Sequence, residues 1–259
     1  MLRAVWSAKW YILLGLLAFI LIVVATTPIH FLWKYAEPYA RDLPVRIQNP
    51  TGTLWQGRAD VGVPQAGTIA ADWELSPLSL LLGNADLAIN AEGENIRLTG
   101  AAQATGLYAG LPERVIIEDL NGYLDSSALA PLLMQARANL DGSFELSRLN
   151  ADISIADQGI NDISGQLVYS GGQLRARVER QSIDTELPML VANIVMDGPK
   201  VTVPVATADG EPLGQLFLQE DGWGGMTVLR RAVDIAGQSW PDKQADADTV
   251  IFEVSQKFL

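Results

Sequence analysis

TLWQGRADVGV (Thr53–Val63) and TIAADWEL (Thr68–Leu75) lie on either side of a Pro64–Gly67 turn signal. Successive strand residues point to opposite faces, so two alternating runs separated by Pro and Gly read as a hairpin. Taken as one strand, the first run sets Thr53, Trp55, Gly57 and Ala59 on one face and Leu54, Gln56 and Arg58 on the other. An indole beside two small residues fills a narrow gap, and glycine allows close backbone approach. Trp55 is therefore expected to pack rather than bind, with Trp73 in the same aromatic core.

The alternation continues outward from this hairpin. ADLAINA (85–91), IRLTGAAQA (96–104), VIIEDLNGYLD (115–125), LDGSFEL (140–146) and ADISI (151–155) carry it through the middle of the chain. GQLVYS (165–170), GGQLRARVE (171–179), PMLVANIVM (188–196), VTVPV (201–205) and TVIFEVSQKF (249–258) carry it towards the C-terminus. The predicted fold is mainly β, a long curved antiparallel sheet or a β-sandwich-like body, with one or two short helices. SPLSLLLGN (76–84) predicts a helical turn, and LAPLLMQARANL (129–140) a short helix with Pro131 near its start. MTVLRRAVDIAG (226–237) fits strand or helix. A loose refrain, in NPTGTLWQG, DLNGYLD, NLDGSFEL and DISGQLVYSG, sets a glycine near the start of each apolar run. It suggests successive hairpins through Gly122, Gly142 and Gly165, and equally the glycines any meander needs at bends and bulges.

Before the β-rich part stands MLRAVWSAKWYILLGLLAFILIVVATTPIHFLWKY. Residues 10–27 carry no formal charge, and as a helix they would cover roughly 27 Å of a hydrocarbon layer about 30 Å thick. Arg3 and Lys9 precede the run, and Trp6, Trp10 and Tyr11 sit where interfacial anchors belong. The expectation is a cytoplasmic tail at 1–9, a transmembrane anchor at 10–27, a periplasmic connector at 28–44 and a periplasmic β-rich domain at 45–259. That amounts to a single-pass inner-membrane protein with its N-terminus inside. A cleaved secretory signal, with Val23 and Ala25 flanking the cut, is the rival reading.

Composition narrows the function. Across 259 residues, 30 acidic against 18 basic side chains give a formal charge of −12. This repels nucleic-acid backbones, so no nucleic-acid partner is expected. With no cysteine and one histidine, His30, thiolate metal sites, cysteine nucleophiles and histidine-dependent triads are excluded. Ser76 and Ser143 lack a base, and Asp60, Asp72, Glu74, Asp86, Glu92 and Glu94 read as a solvated face. GWGG (222–225) is no nucleotide loop and reads as a turn with a packed Trp223, while GINDISG (159–165) lacks calcium-loop spacing. No catalytic, metal or cofactor residue is assigned. Trp240 and Pro241 read as a surface turn.

Together, the N-terminal apolar run, TGTLWQGRADV and the sequel ADWELSPLSLLLGNADL resemble the protein N family of the bacterial type II secretion system. The residues that carry the likeness are Gly52, Leu54, Trp55, Gly57, Ala59, Trp73, Leu75, Pro77 and Leu78, read as a structural motif; Thr51 stands where a more apolar residue is expected. Similar Gly-x-x-Trp-x-Gly sheet starts occur in AsmA-like envelope proteins. What the resemblance implies is an accessory inner-membrane component that supports export of folded proteins by noncovalent scaffolding. Its partners would be other secretion components, with lipid as a second class of ligand, and the motif fixes no homo-oligomeric state. The alternatives are an AsmA-like lipid-handling protein, marked by a continuous apolar groove, and a carboxylate-dependent hydrolase, marked by two acids converging in a cleft.

Overall fold

Apolar and polar residues alternate through most of the chain, and in the computed structural model they build a long antiparallel sheet. The structure describes residues 14–16, 18–19, 22–23, 25–31, 33–34, 46–63, 67–110, 112–135, 137–157, 159–178, 181–238 and 245–257. The first strands are β1 (Arg46–Gly52), β2 (Gln56–Val63), β3 (Gly67–Leu75), β4 (Ala85–Glu92), β5 (Ile96–Thr105) and β6 (Arg114–Asp125). Next come β7 (Ala138–Leu140), β8 (Ser143–Ser154), β9 (Gly159–Tyr169), β10 (Gly172–Val178) and β11 (Gln181–Leu187). The last are β12 (Leu190–Asp197), β13 (Lys200–Thr207), β14 (Pro212–Gln219), β15 (Trp223–Leu229) and β16 (Val250–Lys257).

Thirteen strands pair in the order β1-β2-β3-β4-β5-β6-β8-β9-β12-β13-β14-β15-β16, and β11-β10-β7 form a small separate sheet. The mainly β architecture expected from the sequence is present. Register keeps like residues opposite one another. One row runs Leu75, Leu87, Ala102, Ile117, Ala151, Ile163 across β3 to β9. Another runs Val203, Leu216, Met226, Val254 across β13 to β16. This apolar face is only partly covered: Leu216, Met226 and Val254 remain 46%, 37% and 43% exposed, and no large side chain among the described residues is fully buried.

One glycine of the refrain, Gly165, answers a bulge, while Gly142, with φ +108°, lies in the turn before β8. Asn49, Asp119 and Arg148 have φ of 51°, 47° and 48°. Each sits where a strand carries an extra residue opposite its neighbour, next to an inward Pro50, Leu120 or Leu149. The partner strand answers with a small residue, Ala59, Gly100 or Gly165. A Cβ on Gly100 would lie 2.9 Å from Leu120 Cα, and one on Gly165 3.0 Å from Leu149 Cα. Between β6 and β8 two asparagines lock the paired bulges. Asn121 Oδ1 accepts from the Arg148 amide at 2.9 Å, and Asn150 Oδ1 accepts from the Asp119 amide at 3.0 Å. Each side-chain amide donates back to the carbonyl of its own strand's bulge residue, at 2.7 and 3.0 Å. DLN and RLN are thus one device used twice.

Several expectations are corrected. Among the described residues no helix is long and apolar enough to cross a membrane. The anchor expected at 10–27, and with it the single-pass inner-membrane topology, is overturned on that finding. The described residues of that stretch are helical up to Ala25 and Thr26, and Pro28, with no amide hydrogen to give, ends the run in an isolated bridge to Thr53. Residues 1–9, and 35–44 of the connector, lie outside the described residues. The body has three short α-helices among the described residues, Pro77–Leu81, Ala130–Gln135 and Arg230–Ile235, rather than one or two. The ambiguous segment 226–237 is strand, then helix. Gly222 closes the turn before β15, its amide donating to the Gln219 carbonyl at 3.0 Å, but Trp223 opens the strand and is 42% exposed instead of packed. Trp240 and Pro241 lie outside the described residues.

Candidate functional site

The segment from Gly52 to Gly57 is a tight reversal between β1 and β2. Gly52 and Gly57 are paired residues, and the Thr53 amide donates to the Gln56 carbonyl at 2.8 Å. Gly52 has φ +92°, and a Cβ there would fall 2.5 Å from the Gln56 carbonyl oxygen. The expected strand from Thr53 therefore begins only at Gln56, and Leu54 and Trp55 sit on the reversal. Their backbones still hold β3: Leu54's carbonyl accepts from Trp73 Nε1 at 3.2 Å, and Trp55's from the Leu75 amide at 2.7 Å.

This arrangement changes which indole the small residues serve. A Cβ on Gly57 would lie 2.3 Å from Trp73 Cζ2 and 2.5 Å from the Thr51 carbonyl oxygen, so Trp73 lies against the Gly57 backbone. Trp55 is half-buried and lines a polar hollow of about 590 Å³ with Pro77, Glu74, Asp86, Gln103 and Glu118. On the apolar side Leu54, Ala59, Trp73, Leu75 and Leu87 line a concavity of about 470 Å³, partly roofed by Ile29 and Trp33 of the N-terminal segment. This is within the size range of small-molecule sites.

The motif ends in a helix. Ser76 takes the N-cap position with extended backbone and Pro77 opens the first turn, where its missing amide hydrogen costs nothing. Ser79 Oγ donates to Asp86 at 2.5 Å and Gln103 Nε2 to the same carboxylate at 2.6 Å, pinning the helix to β4 and β5. Its outer face is apolar and open: Leu78, Leu81 and Leu82 are 67%, 71% and 66% exposed. Tyr108 continues the patch; its hydroxyl donates to the Leu81 carbonyl at 2.7 Å and its ring covers Gly83. The sequence reading named Leu78 but not Leu81, Leu82 or Tyr108. A leucine run after a proline looks like core until the helix proves too short to be covered.

The structure therefore brings Leu54, Ala59, Trp73 and Leu75 together at the apolar concavity, while Gly52 and Gly57 line a separate hollow with Thr51, Arg58 and Asp72. It sets Trp55 and Pro77 on the polar hollow and Leu78 on the open patch.

Hydrogen bonding holds several carboxyls below the usual carboxylate range. The donors are Arg58 for Asp72, Ser79 then Gln103 for Asp86, Ser127 for Asp125 and Arg114 for Asp152. Such groups stabilise the fold at pH above their unfolded values, near about 4, and lose that contribution as pH falls through the lower folded values. Acidification also relieves the repulsion of a −12 chain, but that effect is spread across many groups. The thermal midpoint is expected to hold from neutral pH to about 5 and to drop below about 4. Asp86→Asn should flatten part of the drop; a midpoint that rises steadily into acid would contradict the assignment.

Asp86 is committed to its two donors and shifted down, the wrong direction for a general acid. Among the described residues no acidic or histidine cluster could hold a metal ion.

No curated protein and no solved structure matches the chain. The family model for protein N of the type II secretion system matches residues 44–225, which span β1 to the start of β15 and contain the whole motif. On that match the chain belongs to the type II secretion system protein N family.

Proposed function

We propose that the chain serves secretion by noncovalent association, with the apolar patch of Leu78, Leu81, Leu82 and Tyr108 as the surface that meets other secretion components. Its role lies in type II secretion, and it is not an enzyme. The observation that carries the reading is the rigid display of this patch. A capped helix is tied to the sheet through Ser79 and Asp86, while Leu78, Leu81 and Leu82 stay more than half exposed. Contiguous apolar surface maintained against water marks an interaction site.

The triple substitution Leu78→Ser, Leu81→Ser, Leu82→Ser tests this. Surface changes away from packed features usually move stability by less than about 0.5 kcal/mol each. The variant should therefore accumulate and melt nearly as the parent does while secretion of exoproteins falls. Undiminished secretion with a folded variant would refute the patch as the contact.

A second reading is supported by the apolar concavity, whose lining is almost wholly hydrocarbon. A groove of that character suits acyl chains and favours lipid handling. Lipid extracted from the purified full chain, and lost on Ala102→Trp, would support it.

A further inference from the structure

The two edges of the large sheet are built differently. On β1 the outer strand carries Pro50, which has no amide hydrogen, and the bulge at Asn49. Both are devices that stop a further strand from pairing. β16 has neither. It pairs with β15 in unbroken register from Lys257 to Phe252, and among the described residues nothing pairs with its outer side. Its apolar side chains stay open: Val250, Phe252 and Val254 are 51%, 50% and 43% exposed. A regular, largely uncharged edge of this kind presents a row of free backbone groups to another strand.

We infer that this edge pairs with the β16 of a second copy of the chain, antiparallel about Ser255, joining the two sheets into one. Isologous antiparallel pairing turns on an axis perpendicular to the sheet, which keeps each apolar face on its own side. The strand is chemically self-complementary about that centre. Glu253 falls opposite the second copy's Lys257, Val254 opposite its Gln256, and Ser255 opposite itself. Shifting the axis to Glu253 would set that carboxylate against its own copy, which costs energy in a cross-strand pair. Shifting it to Phe252 would drive Ser255 to Lys257 into the turn before β16 and leave Glu253 facing Ile251. The Glu253–Lys257 complementarity thus favours a second copy as the occupant and Ser255 as the centre, the register that gains two ion pairs. The inference does not rest on the apolar patch or the concavity, and either can fail without the other.

The absence of cysteine makes the test clean. In the full chain, Ser255→Cys would supply the sole thiol, which would meet its own copy. Opposed Cα atoms in antiparallel strands lie about 4.5–5.5 Å apart, inside the disulfide range. Val250→Cys is the control, since its two copies would be roughly 34 Å apart along the strand. At physiological ionic strength, light scattering should show a dimer, and mild oxidation should link the Ser255→Cys variant but not the Val250→Cys variant. Glu253→Lys should weaken the dimer by about tenfold or more, because each of the two symmetric ion pairs becomes a repulsion. Adding Lys257→Glu should restore it, a rescue that misfolding would not give. A monomer, linkage of the Val250→Cys variant, indifference to Glu253→Lys, failure of the double reversal to rescue, or a Ser255→Cys variant that links solely to a different protein would each overturn the inference.

Discussion

Gly57→Val should unfold the first hairpin and lower stability by roughly 3 kcal/mol or more, since overpacking and a strained reversal combine. The Gly57 position has no space on either side. A Cβ there meets the Trp73 ring at 2.3 Å and a backbone oxygen of Thr51 at 2.5 Å. The ring cannot swing away without giving up its hydrogen bond to Leu54, and the oxygen belongs to the paired strand. Gly62 supplies the comparison within the same strand. Its nearest neighbour would be an Arg46 oxygen at 3.5 Å, ordinary contact, so Gly62→Val should be close to neutral. Denaturant unfolding of the two variants side by side decides the matter; equal stabilities would show that Gly57 is not the seat of the indole. Trp55, by contrast, is half-buried, so truncating it should cost less than the roughly 3–5 kcal/mol that full burial of an indole would imply.

The second large effect concerns the asparagine clasp. Asn121→Ala and Asn150→Ala should each cost about 1–2 kcal/mol, because each leaves a left-handed bulge residue with an amide whose acceptor is gone. The two should not add. Each asparagine accepts from the other strand's bulge and donates to its own, so removing one loosens the geometry on which the other depends. A double-mutant cycle read by guanidinium unfolding should give a coupling of at least about 0.5 kcal/mol. Strict additivity would mean the two bulges hold themselves independently. Solvent reaches Asn150, which limits the penalty to this range instead of that of a buried polar group.

These two devices show how unevenly the chain could be read. Strands with plain alternation, such as ADLAINA or VTVPV, were legible because period two follows directly from the pleat. β1 was not singled out as a strand, because Asn49 and Pro50 break the period of RIQNPTG at the bulge. The Gly-x-x-Trp-x-Gly motif was recognised, yet its glycine was assigned to the wrong tryptophan. Periodicity assumes a continuing strand, and the chain reverses at Thr53–Trp55, so Gly57 meets an indole supplied by β3. The N-terminal apolar run promised a spanning helix by composition alone, whereas a span needs a continuous helix, and none is found among the described residues.

Sequence by itself determined the sheet-forming pattern, the exclusion of cysteine and triad chemistry, and membership of a secretion family. All three depend on residue type and local spacing. Only the tertiary structure decided which small residue faces which ring, that Leu78, Leu81 and Leu82 stand in solvent, and that the sheet presents one blocked and one open edge. Those outcomes depend on distant strands meeting in register, and register is set by the sum of cross-strand contacts that no local stretch contains.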